Sequence, residues 1–199
     1  MTSGFWWVLL AVAMYGVVHS LLASRLVKLA LERWLGRRVR RYYRLGFSLI
    51  AMVTFLPVLV LGIFLPDRRI YSIPLPWFAL TVLLQMASLV GLLYSVRQTG
   101  PARFLGLDTA LDPGEARRDL VARGLYRHVR HPLYTCTLLF LWLMPVMTWN
   151  LLAFNLGVTA YFIIGSRFEE DKLIEEYGPA YIEYRRLTPA FLPRLNRPR

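Results

Sequence analysis

An all-α polytopic membrane domain of five transmembrane helices, the last two a short helical hairpin followed by a helical tail, is the fold class the chain predicts. Three observations predict it. The 199 residues are 56% hydrophobic with a positive mean hydropathy, too apolar for an ordinary soluble domain. Long windows free of charge recur at the length a bilayer requires. The basic residues, 24 Lys and Arg against 12 acids, gather in alternate connections.

A hydrocarbon core about 30 Å thick calls for about 20 apolar residues per helix. Phe5 to Ser24, Leu45 to Pro66 and Ile70 to Val96 are three such windows, the third with a start blurred by Pro74 and Pro76. The first has no basic segment before it and positive charge after it, so it reads as a retained helix and not a signal peptide. Pro132 to Ser166 is too long for one span and is divided by Thr148-Trp149-Asn150, which predicts a tight hairpin of two short spans.

Arg25, Lys28, Arg33, Arg37, Arg38, Arg40, Arg41 and Arg44 lie between the first two spans, opposed only by Glu32. The stretch Arg97 to Arg130 and the tail after Ser166 are also Arg-rich, whereas the only basic residues of the other connections are Arg68 and Arg69. Lys and Arg collect on the cytoplasmic side, so the N-terminus is expected outside and the C-terminus in the cytoplasm. Trp6, Trp7, Trp77 and Trp149 then fall at the outer interface. This placement assigns the positive charge to membrane orientation, and nucleic acid is not an expected partner. The single cysteine, Cys136, excludes an internal disulfide and reads as structural.

The chain reads as one integral membrane domain over residues 1–199, with a three-span half (1–96) and a half denser in polar and turn residues (97–199). Gly100-Pro101, Asp112-Pro113-Gly114 and Gly124 mark a structured loop, with a short helix over Glu115 to Arg123. Phe168 to Tyr177 has a helical pattern that breaks at Gly178-Pro179, and a second short helix, Pro179 to Arg186, follows.

No dinucleotide fingerprint, phosphate-binding loop, HExxH or cysteine cluster occurs, so metal, hydride-transfer and nucleotide-hydrolysis chemistry lack support. The chemistry concentrates in Gly124-Leu125-Tyr126-Arg127-His128-Val129-Arg130-His131-Pro132-Leu133-Tyr134, which enters the fourth span. Gly124 and the pre-proline His131 predict irregular backbone there. Such backbone at membrane depth needs protein or a water-filled cavity around it. Two readings stay open: a pocket, or an interfacial belt that anchors a helix end. Arg167-Phe168-Glu169-Glu170-Asp171 follows the fifth span, and the hairpin brings these acids back towards Arg130 and His131. A cationic ligand, nearby arginines or a helix dipole would each account for three consecutive acids.

The order Leu120-Val121-x-x-Gly124-Leu125-Tyr126-Arg127-x-Val129-Arg130-His131-Pro132-Leu133-Tyr134, a hairpin, Glu169-Glu170-x-x-Leu173-Ile174-x-Glu176-Tyr177-Gly178-x-x-Tyr181-x-x-Tyr184 and Phe191-Leu192-Pro193 resembles the isoprenylcysteine carboxyl methyltransferase and phospholipid methyltransferase superfamily. The resemblance covers about the last 80 residues. It implies an integral membrane enzyme, in a bacterial inner membrane, that binds S-adenosylmethionine without a Rossmann domain. Leu125, Tyr126, His131, Pro132, Tyr134, Glu169, Glu170 and Tyr181 would then bind the cofactor, with Tyr181 closing the pocket. Carboxylates and aromatic faces suit a sulfonium, an amino group and ribose hydroxyls. Gly16, His19-Ser20 and Arg103-Phe104-Leu105-Gly106-Leu107 resemble the denitrification-associated NnrU-like and thiol methyltransferase branches.

The expected reaction is methyl transfer to a lipophilic small molecule or lipidated substrate that partitions into the membrane lipids. Catalysis would come from holding the reactants together and excluding water. A carboxylate or thiolate acceptor needs no general base and is preferred over an amine, which does. Arg130 and Glu169 are the catalytic candidates, Arg130 orienting an anion. His19 either faces the pocket or packs against a neighbouring helix, and Gln85 is an intramembrane polar residue without an assigned partner. The rival reading is a non-enzymatic assembly or sensor protein of the NnrU-like type, in which Arg-His-Pro and Glu-Glu form a structural ion-pair network. A small transporter is disfavoured by the lack of repeated, broken helices.

Overall fold

The computed structural model describes residues 4–36, 38–101 and 120–193. The expected helix over Glu115 to Arg123 falls mostly outside them, and the Arg103 to Leu107 motif wholly so. The element order is α1 (Phe5–Leu22), α2 (Arg25–Leu35), α3 (Arg38–Phe64), β1 (Arg69–Ser72), α4 (Trp77–Thr99), a 3-10 turn (Gly124–Arg127), α5 (Pro132–Trp142), β2 (Val146–Thr148), α6 (Trp149–Tyr177) and α7 (Pro179–Leu187). The chain is predominantly helical, with β1 and β2 pairing as a two-stranded sheet.

Four helices among the described residues are long and apolar enough to cross a membrane: Phe5–Leu22, Tyr42–Phe64, Trp77–Thr99 and Trp149–Tyr177. The fifth expected span corresponds to α5, which has 11 residues. At 1.5 Å per residue it is roughly 16 Å long, about half the hydrocarbon thickness.

Three elements differ from the sequence reading. The basic connection after the first span contains α2, begun by Ser24, whose hydroxyl accepts from the Val27 amide at 3.3 Å, and ended at Gly36 with φ +79°. The fifth window does not end at Ser166 but runs on as α6 for 29 residues to Tyr177. The change from apolar to charged side chains at Arg167 does not interrupt the backbone ladder, and no Gly or Pro breaks it before Gly178-Pro179. The third window starts late, because Ile70 to Ser72 belong to β1.

The chain divides into two compact units, each drawing on both halves of the sequence. The first holds α1, α2, α3 and α6 up to Tyr161. Val8, Val12, Val58 and Ala153 form its buried centre, surrounded by Phe5, Tyr15, Phe55 and Phe154. Gly157 permits the close approach of α1 and α6, since a Cβ there would stand 2.7 Å from Val12. Beyond this centre, Asn150 is buried; its amide donates to Asp67 at 3.0 Å and its side chain to the Leu65 carbonyl at 3.3 Å. His19 packs among aromatic rings of this unit, 4.7 Å from Phe47 and 5.9 Å from Tyr161, with Nδ1 3.3 Å from the Tyr15 hydroxyl.

The second unit holds α4, residues 120–146 among those described, α6 from Phe162, α7 and the tail. Gln85 supplies a polar tie inside it: its amide donates to the Phe140 carbonyl at 2.9 Å, joining α4 to α5. Cys136 approaches Gly91 of α4 so closely that a Cβ there would stand 2.9 Å from its sulfur.

Candidate functional site

All the site residues predicted from sequence lie in the second unit. The segment leading into α5 is irregular: His131 has φ −119° and ψ 61°, outside the helical region that a following proline disfavours, and Pro132 opens the helix. Its backbone amides find partners in the tail. Arg130 N–H donates to the Pro189 carbonyl at 2.8 Å and His131 N–H to the Ala190 carbonyl at 3.0 Å. Thr135 Oγ1 adds a bond to the Phe191 carbonyl at 2.9 Å. Residues 189–191 thus lie along the segment.

Glu170, on α6, is the hub. It is 6% exposed and faces three basic side chains. Arg130 Nη2 lies 2.6 Å and Nε 2.8 Å from its Oε1, His131 Nε2 lies 3.0 Å from the same oxygen, and Arg185 Nε lies 3.2 Å from Oε2. Arg130 Nη1 also donates to the carbonyls of Thr188 and Arg185. The guanidinium therefore ties α6 to α7 and to the tail. A buried carboxylate needs this degree of pairing, since an isolated one would be far too costly.

Glu169 differs from its neighbour. Its side chain is 47% exposed, and its Oε2 receives the Tyr134 hydroxyl at 2.8 Å and stands 3.6 Å from His131 Nδ1. His131 thus bridges the two carboxylates. Burial alone would push its imidazole pKa down, but the hydrogen bonds and charges of Glu169 and Glu170 outweigh burial and raise it. Its ring is stacked between Tyr134 at 5.4 Å and Phe191 at 5.6 Å, and Tyr134 stacks in turn on Phe162 at 4.4 Å. The His131 ring is thus largely covered by protein, and Glu169 is the accessible one of the two carboxylates.

Gly178, with φ +58°, turns the chain sharply into α7, the backbone state for which glycine carries no steric penalty. The turn sends Tyr181 inward, where it is 1% exposed and its hydroxyl has no hydrogen-bond partner among the described residues. Burial, then the charge of Glu170, raises its pKa, so the hydroxyl stays protonated. Tyr184 donates to the Tyr126 carbonyl at 2.6 Å, and burial pushes its own pKa up to about 12.

The expected residues are therefore placed in two groups. Arg130, His131, Tyr134, Glu169 and Glu170 form one connected network, with Tyr181 electrostatically coupled to it. Leu125 and Tyr126 are fixed separately on the 3-10 turn, where the Leu125 amide donates to Gln98 Oε1 at 3.2 Å and Gln98 Nε2 donates to the Arg123 carbonyl at 3.1 Å. Pro132 is buried at the first turn of α5. The sequence reading missed Arg185, the stacking role of Phe162 and the Gln98 clamp. Only the spacing Tyr181, Tyr184, Arg185 on a short helix hinted at the first, because residues three and four apart share a face.

The sequence profile of the phospholipid methyltransferase family matches residues 76–180, more than half of the chain, and spans α4, α5, both carboxylates and the start of α7. The chain belongs to this family. Among similar proteins, methanethiol S-methyltransferase 2 of Bradyrhizobium diazoefficiens is 48% identical over 71 residues, 36% of this chain and 27% of that protein. Methanethiol S-methyltransferase 1 of the same organism is 26% identical over 202 residues, 93% of this chain and 65% of that protein. The cobalt-zinc-cadmium resistance protein CzcN of Cupriavidus metallidurans is 35% identical over 85 residues, 42% of this chain and 39% of that protein. The chain thus spans less than two thirds of the length of each. No solved structure matches it. Its family and its apolar helices make it an integral membrane protein.

Proposed function

We propose that this protein is a membrane methyltransferase that uses S-adenosylmethionine and methylates a lipophilic or membrane-partitioned nucleophile, a thiolate ahead of a carboxylate. Membership of the phospholipid methyltransferase family supports the reaction class, and the relatives named methanethiol S-methyltransferase favour the thiol.

The observation that carries the reading is the division of labour between adjacent carboxylates. Glu170 is buried and held by Arg130, His131 and Arg185, whereas Glu169 is half exposed and braced at its Oε2 by Tyr134 and His131, with the charge of Lys172 also acting on it. A braced, accessible carboxylate together with a buried Tyr181 hydroxyl that has no partner among the described residues suits a cationic ligand that also carries hydroxyl and amino groups. When bound, the cofactor supplies an activated methyl on a sulfonium, which becomes a neutral thioether as the acceptor takes the methyl. Glu169 would bind its polar groups, with Tyr134 and His131 holding that carboxylate in one orientation. Tyr181 offers a further hydrogen bond, and the tail from Thr188 to Phe191 excludes water from one side. Arg130 and Glu170 act as positioning residues that hold α7 and the tail in place. Leu125, Tyr126 and Pro132 complete the proposed cofactor-binding set by shaping the entry to α5. A thiolate acceptor requires no base, so proximity and orientation supply the rate. The N-terminus of the proposed inner-membrane protein would lie outside and its C-terminus in the cytoplasm, and the charge distribution supports cofactor entry from that side.

The test is equilibrium binding of radiolabelled S-adenosylmethionine to detergent-purified protein, followed by label transfer across small thiols, a prenyl-cysteine and phosphatidylethanolamine. Binding with transfer to a thiol is the expected outcome, and folded protein that binds no cofactor overturns the proposal. The second reading, a structural assembly protein of the NnrU-like type, is favoured by the fully engaged Arg130 guanidinium and predicts that same lack of binding.

A further inference from the structure

A cavity of about 350 Å³ opens in the first unit, away from the carboxylates, between Leu22 of α1, Leu31 of α2 and the side of α3 that carries Tyr43, Gly46, Phe47 and Ile50. This is within the roughly 300–1,000 Å³ of small-ligand sites. Its wall is almost wholly apolar. Its level in the membrane follows from its lining, since Leu22 ends the first apolar span and the second begins at Tyr42. The cavity therefore lies where two spans leave the hydrocarbon. The Tyr43 hydroxyl donates to the Leu22 carbonyl and braces one edge.

Gly46 adds to the width of the cavity. A glycine inside a helix costs about 1 kcal/mol relative to alanine. Gly16 and Gly157 have a packing reason, for a Cβ at either would stand 2.9 Å from Tyr161 or 2.7 Å from Val12. At Gly46 no described atom lies within 4 Å of where a Cβ would be, so no neighbouring helix requires the glycine. Its effect is to widen the cavity.

The flanking helix indicates the occupant. On α2, Leu26 is 79% and Trp34 89% exposed, while Arg25, Lys28 and Arg33 give the same helix positive charge against Glu32 alone. An amphipathic helix with exposed apolar residues and a basic face lies in the plane of an anionic membrane surface. Lys28 stands one turn from the cavity-lining Leu31, and Arg25 one turn further.

We infer that this cavity holds an acyl chain of an anionic phospholipid, with the headgroup set against Lys28 and Arg25 of α2. The lipid anchors α2 at the membrane surface independently of any methyl transfer. The test is native mass spectrometry of the whole protein taken from membranes containing equal phosphatidylglycerol and phosphatidylcholine. One phosphatidylglycerol per chain is expected, favoured about tenfold over phosphatidylcholine. Gly46→Phe fills the cavity and should lose the lipid, with Gly46→Leu in its place if circular dichroism shows that the first does not fold. Gly62→Phe, at a second glycine of α3 with open space but outside the cavity lining, should keep it. Lys28→Gln and Arg25→Gln should each reduce the preference about fivefold. Equal retention of both lipids, no retained lipid in the wild type, or undiminished retention in a folded Gly46 variant overturns the inference.

Discussion

Replacing Glu170 by alanine removes the one carboxylate that Arg130, His131 and Arg185 share. The Arg130 and Glu170 side chains are 11% and 8% exposed, so theirs is a buried pair, for which loss of one partner costs about 3–5 kcal/mol. Arg185 is 49% exposed, and its bond to Glu170 adds at most about 1 kcal/mol. Arg130 keeps the carbonyls of Arg185 and Thr188 after the substitution, which places the expected loss near the lower end, about 3 kcal/mol. Because these contacts join α6 to α7 and the tail, the loss should appear first as local opening of residues 179–191. At about 1.4 kcal/mol per factor of ten, the open population rises by about two orders of magnitude. Limited trypsin digestion in detergent, following the fragment that ends at Arg185, measures that population when reclosing is fast relative to cleavage. Glu170→Gln keeps the shape and one acceptor and should fall between the two. Cleavage of Glu170→Ala within about threefold of the wild type would refute the assignment of Glu170 as the clasp of the tail.

Three further outcomes follow from the same network. His131 has its pKa raised by Glu169 and Glu170 against burial, so its contribution to stability is fully present below the ordinary imidazole pKa, about 6.5, and is lost as pH rises through the raised folded value. Thermal unfolding from about pH 6 to about pH 9 should show this decline in the wild type and a flatter profile in His131→Gln, and identical profiles would contradict it. Glu169→Gln should leave the Glu170 clasp intact yet weaken S-adenosylmethionine binding by about 10- to 100-fold, the value of a hydrogen bond to a charged group; unchanged affinity by calorimetry removes Glu169 from the site. Tyr181→Phe deletes a buried hydroxyl with no described partner and should stabilise the ligand-free protein by about 1 kcal/mol while weakening cofactor binding. A loss of stability instead would show that the hydroxyl is already satisfied.

The legibility of these features differed by residue. Membrane character was readable because hydropathy and charge act along the chain, and four of the apolar windows became long helices. The acid pair and Arg130-His131 could be brought together from sequence because a hairpin reverses the chain between them, and His131 Nε2 does meet Glu170 at 3.0 Å. The end of α6 could not be placed from charge, since a helix continues through Arg167 as long as each amide finds its carbonyl. α2 was hidden for a related reason: its arginines read as an orienting loop, although Ser24 and Gly36 are the cap and stop of a helix.

By itself, then, the sequence determined that the chain enters the bilayer, which segments carry positive charge and which short stretch holds the ionisable groups, all consequences of local composition and period. Only the tertiary structure decided which of two adjacent acids is buried and which is accessible. Successive residues on a helix point about 100° apart, so when Glu170 faces Arg130, Glu169 is turned towards Tyr134 and solvent. Which of the two faces inward depends on the rotation of α6 against α5 and on the turn at Gly178 that brings Arg185 to the same carboxylate. Those are properties of packing between segments some 40 residues or fewer apart, and no local pattern encodes them.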